Sequence, residues 1–148
     1  MNELLGLLEN LYQVSNIKEL LIAFLIALPI GWNRERESRS MGVRTFPLVA
    51  VASRGYMLLG TSMMGEGSPD SIARLLTGLM TGIGFIGGGA ILKDRGNVHG
   101  TATAASIWTT GAVGAAVAFQ RYEIAVTLAV ISFLILALAK PVKESIND

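Results

Sequence analysis

The chain of 148 residues has no cysteine, so disulfides, thiolate metal sites and cysteine nucleophiles are all excluded. It has one histidine, His99, too few for an imidazole-based metal site. Acids are scarce where the chain is apolar. Glu19, Glu35, Glu37, Asp70 and Glu123 all stand at the edges of apolar windows, and none lies deep inside one. No nucleophile and base are spaced for catalysis, and an enzyme is not expected. The net charge of +1 gives no field that would draw nucleic acid. The N-terminal stretch through Asn16 carries Glu3 and Glu9 but no Lys or Arg, and no small-residue cleavage pattern follows the first apolar run. A removed leader is therefore not expected.

What the chain has in quantity is apolar sequence: 51% of it is hydrophobic, with a mean hydropathy of +0.53, above the range of ordinary soluble domains. A bilayer core of about 30 Å needs roughly 20 apolar residues per helix. The windows predict an all-α membrane protein with five spans in a single transmembrane domain: residues 17–32, 45–64, 72–92, 101–119 and 122–139. Residues 2–12 place Leu4, Leu5, Leu7, Leu8 and Leu11 mainly on one helical face and predict a short interfacial helix before the first span. The connections, with Gly67-Ser68-Pro69 as one turn, are too short for a soluble domain.

Orientation follows from Lys and Arg in the short loops, with acids ignored. An external N-terminus puts Arg34, Arg36, Arg39, Arg44, Lys93, Arg95, Lys140 and Lys143 inside, against Lys18, Arg121 and the span-edge Arg74 outside. This bias predicts a cytoplasmic C-terminus and a multi-pass protein of a bacterial-type inner membrane.

Gly82, Gly84 and Gly87 match the spacing of a dinucleotide-binding loop, but no strand precedes them inside their apolar segment, so that reading fails. Gly78 with Gly82, and Gly84 with Gly88, instead form small-xxx-small pairs suited to close helix packing. The run Gly87-Gly88-Gly89 is weak enough to break a helix. Arg54 lies near the middle of the second span and must face the bundle interior. With no acid in reach of the windows, its expected partners are backbone carbonyls, hydroxyls or a bound anion. The fourth span, with Thr101, Thr103, Ser106, Thr109 and Thr110, reads as a tightly packed helix whose hydroxyls bond carbonyls, with a solute path as the alternative. The first loop alternates charge from Arg34 to Arg39. Its arginines suit anionic lipid, and Glu35 and Arg39 stand at i, i+4 spacing as if helix continued there. His99 reads as an exposed loop residue.

Three segments carry a family resemblance. They are Gly31 to Thr45 with Arg34, Arg39 and Gly42-Val43-Arg44-Thr45; Arg74 followed by Gly82 to Leu92; and Asn97-Val98-His99-Gly100 with Thr103-Ala104-Ala105 and Trp108. In these the chain resembles the MgtC/SapB family of bacterial inner-membrane proteins, over the membrane region and without the soluble C-terminal domain that many members carry. Members usually have glutamate at the place of Asn33, asparagine at the place of Ala102 and a small residue at the place of Arg54.

The resemblance implies a role in growth under Mg²⁺ limitation and, in pathogens, survival inside host cells. It also implies partners among other inner-membrane proteins, the ATP synthase included. A non-enzymatic regulator without cofactor or metal is the expected function, with an oligomeric transporter or channel for Mg²⁺ or another small solute as the alternative. Membrane lipids, other membrane proteins and a second copy are the expected partners. Candidate buried residues are Arg54, Arg74, Thr81, Gly84, Gly88, Thr103 and Ser106; the candidate cytoplasmic loop comprises Asn33, Arg34, Arg39 and Arg44.

Overall fold

The computed structural model describes the backbone of residues 2–37, 41–64, 68–94 and 97–147, and side chains within 14–36, 41–64, 68–93 and 97–138. Five helices account for nearly all of it: α1 Asn2–Glu37, α2 Thr45–Met64, α3 Pro69–Gly88, α4 Thr101–Ala118 and α5 Tyr122–Asn147. Two three-residue strands, β1 Leu92–Asp94 and β2 Asn97–His99, pair antiparallel between α3 and α4, with Leu92 opposite His99. The all-α expectation holds except for this hairpin, which occupies a segment read as a plain loop. His99 is exposed, on a strand.

Residues 2–12 are not a separate helix but the first turns of α1. Nothing between them and the first apolar window breaks a helix, since no Gly or Pro falls from Leu7 to Ala27. At 1.5 Å per residue α1 is roughly 54 Å long, well beyond a bilayer core of about 30 Å. Pro29 sits within it on an exposed side.

Helix α3 starts with a complete N-terminal signal. Ser68 is extended (φ −62, ψ 152), its Oγ accepts from the Ser71 N–H at 3.3 Å, Pro69 holds the first position, and Asp70 faces the positive end of the helix dipole. The helix ends at Gly88, four residues short of the expected Leu92. The glycine run therefore terminates the helix instead of kinking it, because three consecutive glycines remove the side-chain contacts that would hold another turn.

Helix α4 is the centre of the bundle and touches each of the other four helices. Small residues make this possible. A Cβ on Gly114 would run into the Ala50 carbonyl oxygen and lie 2.7 Å from Ser53 Cβ, so α2 and α4 meet backbone to backbone. The Ile83 side chain of α3 fills the space above Gly111. Thr110 and Ser106 are buried, and their hydroxyls donate within the helix to the Ser106 and Thr103 carbonyls at 2.7 and 2.9 Å. These two buried hydroxyls are thus satisfied within the helix. At its start Gly100 takes φ 85, a left-handed conformation in which any side chain would also strike the Ala90 carbonyl oxygen.

Val14–Arg36 and Pro69–Gly88 are long and apolar enough to cross a membrane, and residues Tyr122–Leu138 form a shorter apolar stretch. The bundle carries its large apolar side chains outward as well as inward. Leu25, Leu48, Phe85 and Leu138 are all at least 60% exposed. An exposed apolar surface of this kind marks contact with lipid or with another protein.

Candidate functional site

The polar interior centres on Arg54 of α2, only 3% exposed. Its Nη2 donates to Glu19 Oε2 at 2.5 Å and to Asn16 Oδ1 at 3.1 Å, both on α1. The other carboxylate oxygen, Glu19 Oε1, accepts from Gln120 Nε2 at 3.3 Å. Gln120 lies in the turn between α4 and α5 at φ 56, a left-handed conformation uncommon for a residue with a side chain. Its N–H donates to the Val117 carbonyl at 2.9 Å, so the strained turn that closes α4 also delivers the amide to Glu19. Three parts of the fold are thereby tied at one end of the bundle: α1, α2 and the α4–α5 turn.

This pairing corrects the expectation that Arg54 would bond only carbonyls, hydroxyls or an anion. It also corrects the expectation that the interior lacks a carboxylate, because Glu19 is itself 5% exposed. Glu19 sits at the edge of an apolar window but in the middle of a helix that continues to Asn2, so packing buries it. The long arginine stem lets the guanidinium run along the apolar surface to meet it. Asn16 and Glu19 stand at i, i+3 on one face of α1, the signal by which this partner set could have been found.

The Arg54 donors Nε and Nη1 are buried without a hydrogen-bond partner among the described residues. Each such group left unsatisfied costs about 1–3 kcal/mol.

The other expected site residues do not gather around Arg54. Arg74, Thr81, Gly84 and Gly88 are exposed on α3, and the Thr81 hydroxyl donates to the Thr77 carbonyl at 2.8 Å. Among the described residues nothing beyond the local backbone of α3 lies within 4 Å of a Cβ placed on Gly84 or Gly88, so the close helix contact expected of them does not form there. Within α3 it falls at Gly87, where a Cβ would sit 3.1 Å from the Ala104 carbonyl oxygen. Thr103 and Ser106 are buried on α4.

The first loop forms a second polar region at the opposite end of the bundle. Glu35 Oε2 accepts from the Val43 N–H at 2.9 Å, and Glu35 packs directly on Gly42, where a side chain would clash with its Cα. Arg34 is buried. Asn33 is half-buried, Arg44 is exposed, and the Arg36 guanidinium lies 5.6 Å from the centroid of the Trp32 ring. Arg39, and with it the expected Glu35–Arg39 pairing, lies outside the described residues. Among the residues searched, no three His, Cys, Asp or Glu side chains group closely enough to hold a metal.

Comparison with known proteins shows the family. The chain is 35% identical over 116 residues to protein SrpB of Synechococcus elongatus, covering 71% of this chain and 64% of SrpB. It is 30% identical over 140 residues to protein MgtC of Salmonella typhimurium, covering 95% of this chain and 59% of that protein. Protein MgtC of Brucella abortus is 39% identical over 92 residues, covering 62% of this chain and 37% of that protein. The chain thus spans less than two thirds of the length of these relatives. No solved structure matches. The profile of the MgtC family matches residues 20–145, which include Arg54 and Gln120 but not Asn16 or Glu19, and the chain belongs to the MgtC family.

Proposed function

We propose that the chain is a five-span inner-membrane protein, N-terminus outside and C-terminus in the cytoplasm, that serves growth under Mg²⁺ limitation as a non-enzymatic regulator of other membrane proteins. The observation that supports regulation over transport is the Glu19–Arg54 pair. Passage of a divalent cation needs oxygen ligands with uncompensated negative charge or ordered water shells. Here the buried carboxylate is neutralised by a guanidinium in direct contact, so a cation approaching Glu19 meets Arg54 as well. The outward side of α3 at Gly84 and Gly88, where a Cβ would meet nothing beyond the helix among the described residues, suits close packing by a helix of another protein or of a second copy.

A second reading, an oligomeric transporter, draws on the same buried pair, because ionisable residues inside membranes often line solute paths. Proteoliposomes of the purified chain separate the two. Mg²⁺ entry no faster than into empty vesicles is the expected result. Saturable Mg²⁺ entry at about 10⁻⁴ to 10⁻³ M, the range of weak oxygen-ligand sites, would replace the regulator with the transporter.

A further inference from the structure

An outward-facing groove of about 250 Å³ lies between α1 and α5, and its lining, which includes Leu25, Pro29 and Ile30 of α1 and Ala129 and Val130 of α5, is apolar throughout. Its depth comes from side-chain size. Ile30 and Ala129 are buried and form the floor, and the short alanine leaves space below the exposed Leu25 and Val130 at the rim. Along α5 the lining extends from Val126 to Leu134, about 12 Å of helix. That is most of the roughly 15 Å that the chains of one leaflet span, half of a bilayer core.

One end of the groove leads to a charge. Successive helices joined by short connections alternate in direction, so α1 and α5 run the same way, and Ile30 and Leu134 mark the same end of the groove. Beyond Ile30 helix α1 continues to Glu37. Leu25, Pro29, Trp32 and Arg36 stand at i, i+4, i+7 and i+11, one stripe along α1, and all four are exposed. The Arg36 guanidinium lies 5.6 Å from the centroid of the Trp32 ring, which steadies the charge on this stripe and leaves its N–H groups to meet an acceptor. Tryptophan is enriched at the level of lipid headgroups, where such an acceptor would be a phosphate. Arg44 and Lys93 are exposed at the same end of the bundle, which favours an anionic headgroup over a zwitterionic one. An apolar slot that leads to a guanidinium at headgroup level matches an amphiphile with a hydrocarbon tail and an anionic head. A helix of a second copy would fill the slot but would need an acid placed at Arg36.

We propose that the α1–α5 groove binds one anionic phospholipid, with an acyl chain seated against Ile30 and Ala129 and the phosphate on Arg36. This is more than the general attraction of basic loops for anionic lipid, because the groove fixes the tail as well as the head. It rests on the membrane reading above.

The chain has two tryptophans, and both are exposed, so each can report on its own lipid neighbours. Trp108→Phe leaves Trp32 at the proposed site, and Trp32→Phe leaves Trp108 on α4 as the control. Each protein is reconstituted into phosphatidylcholine vesicles in which a rising fraction of the lipid is brominated phosphatidylglycerol or, in parallel, brominated phosphatidylcholine, and bromine quenches the fluorescence of an adjacent indole. Trp32 is expected to be half-quenched at about a fivefold smaller fraction of the phosphatidylglycerol than of the phosphatidylcholine, and Trp108 at the same fraction of both. Equal fractions at Trp32, or the same preference at Trp108, overturn the site. Trp32 quenched by neither lipid while Trp108 is quenched by both means that a protein helix covers the groove, which overturns the lipid as its occupant. Neither tryptophan quenched by either lipid overturns the membrane reading itself. In the protein with Trp32 alone, Arg36→Gln should equalise the two fractions, and a retained preference overturns the role of Arg36. Val130→Phe places a larger ring at the exposed rim, where packing tolerates it, and narrows the groove. The preference should shrink, and an unchanged one would show attraction of the head without a seat for the tail, which overturns the groove.

Discussion

At the scale of single residues, Glu19 and Arg54 stand or fall together. Both side chains are almost completely buried, 7% and 3% exposed. Removing one partner leaves the other charged, desolvated and unpaired, which typically costs 3–5 kcal/mol, whereas replacing both with apolar groups of similar volume is close to neutral. Arg54→Met is therefore expected to destabilise the detergent-solubilised bundle by about 3–5 kcal/mol, Glu19→Leu by a similar amount, and the double variant by far less than their sum. Thermal unfolding of the four proteins measures the coupling. A neutral Arg54→Met would show that carbonyls and not Glu19 satisfy the guanidinium. The sequence makes Arg54 stand out because a charge in the middle of an apolar window has no ordinary place. Its partner is harder to read, because hydropathy windows rank a residue by its neighbours along the chain. The burial of Glu19 comes from α2 and the α4–α5 turn, which are distant in sequence.

Among the helices, glycines that look alike in sequence do different work. Gly114 permits the contact of α4 with α2, and even one methyl group there meets the Ala50 backbone, which cannot yield without moving a helix. A Cβ on Gly84 meets nothing beyond its own helix among the described residues. Gly114→Ala is thus expected to lower the melting temperature of the solubilised protein. Gly84→Ala should leave it unchanged or raise it, since alanine exceeds glycine in helix propensity by about 1 kcal/mol. If Gly84→Ala melts lower, or if Gly84→Leu changes the size of the solubilised particle, a helix from another molecule occupies that face. The helical segments themselves are legible because apolar windows bounded by Gly, Pro, Ser and charge define them. The glycine run Gly87 to Gly89 shows where legibility stops. It reads equally as a packing face or a break, and only the contact of Gly87 with Ala104 and the hairpin that follows decide it.

For the whole molecule, the proposed spanning topology turns on the charge carried at the two ends of the bundle. Short connections force α1 to α5 to alternate in direction. The end of α1, the starts of α2 and α4 and the hairpin therefore share one end of the bundle, and the α2–α3 and α4–α5 connections share the other. Arg34, Arg36, Arg44 and Lys93 belong to the first end, and Asn16, Gln120 and the exposed Arg121–Glu123 pair to the second. Basic residues in short loops are retained on the cytoplasmic side, while acids contribute little to orientation. Glu35 and Glu37 consequently do not offset the arginines beside them, and the first end is expected inside. Reporter fusions give the measurement. A fluorescent reporter joined after Gly100 or after Asp148 should be active in the cytoplasm, and alkaline phosphatase joined after Ser68 should be active outside. Because the connections alternate, the three sites are not independent. Reversal at all three would invert the bundle and put the Glu19–Arg54 end in the cytoplasm, whereas reversal at one alone would mean that a helix of the fold does not cross the membrane.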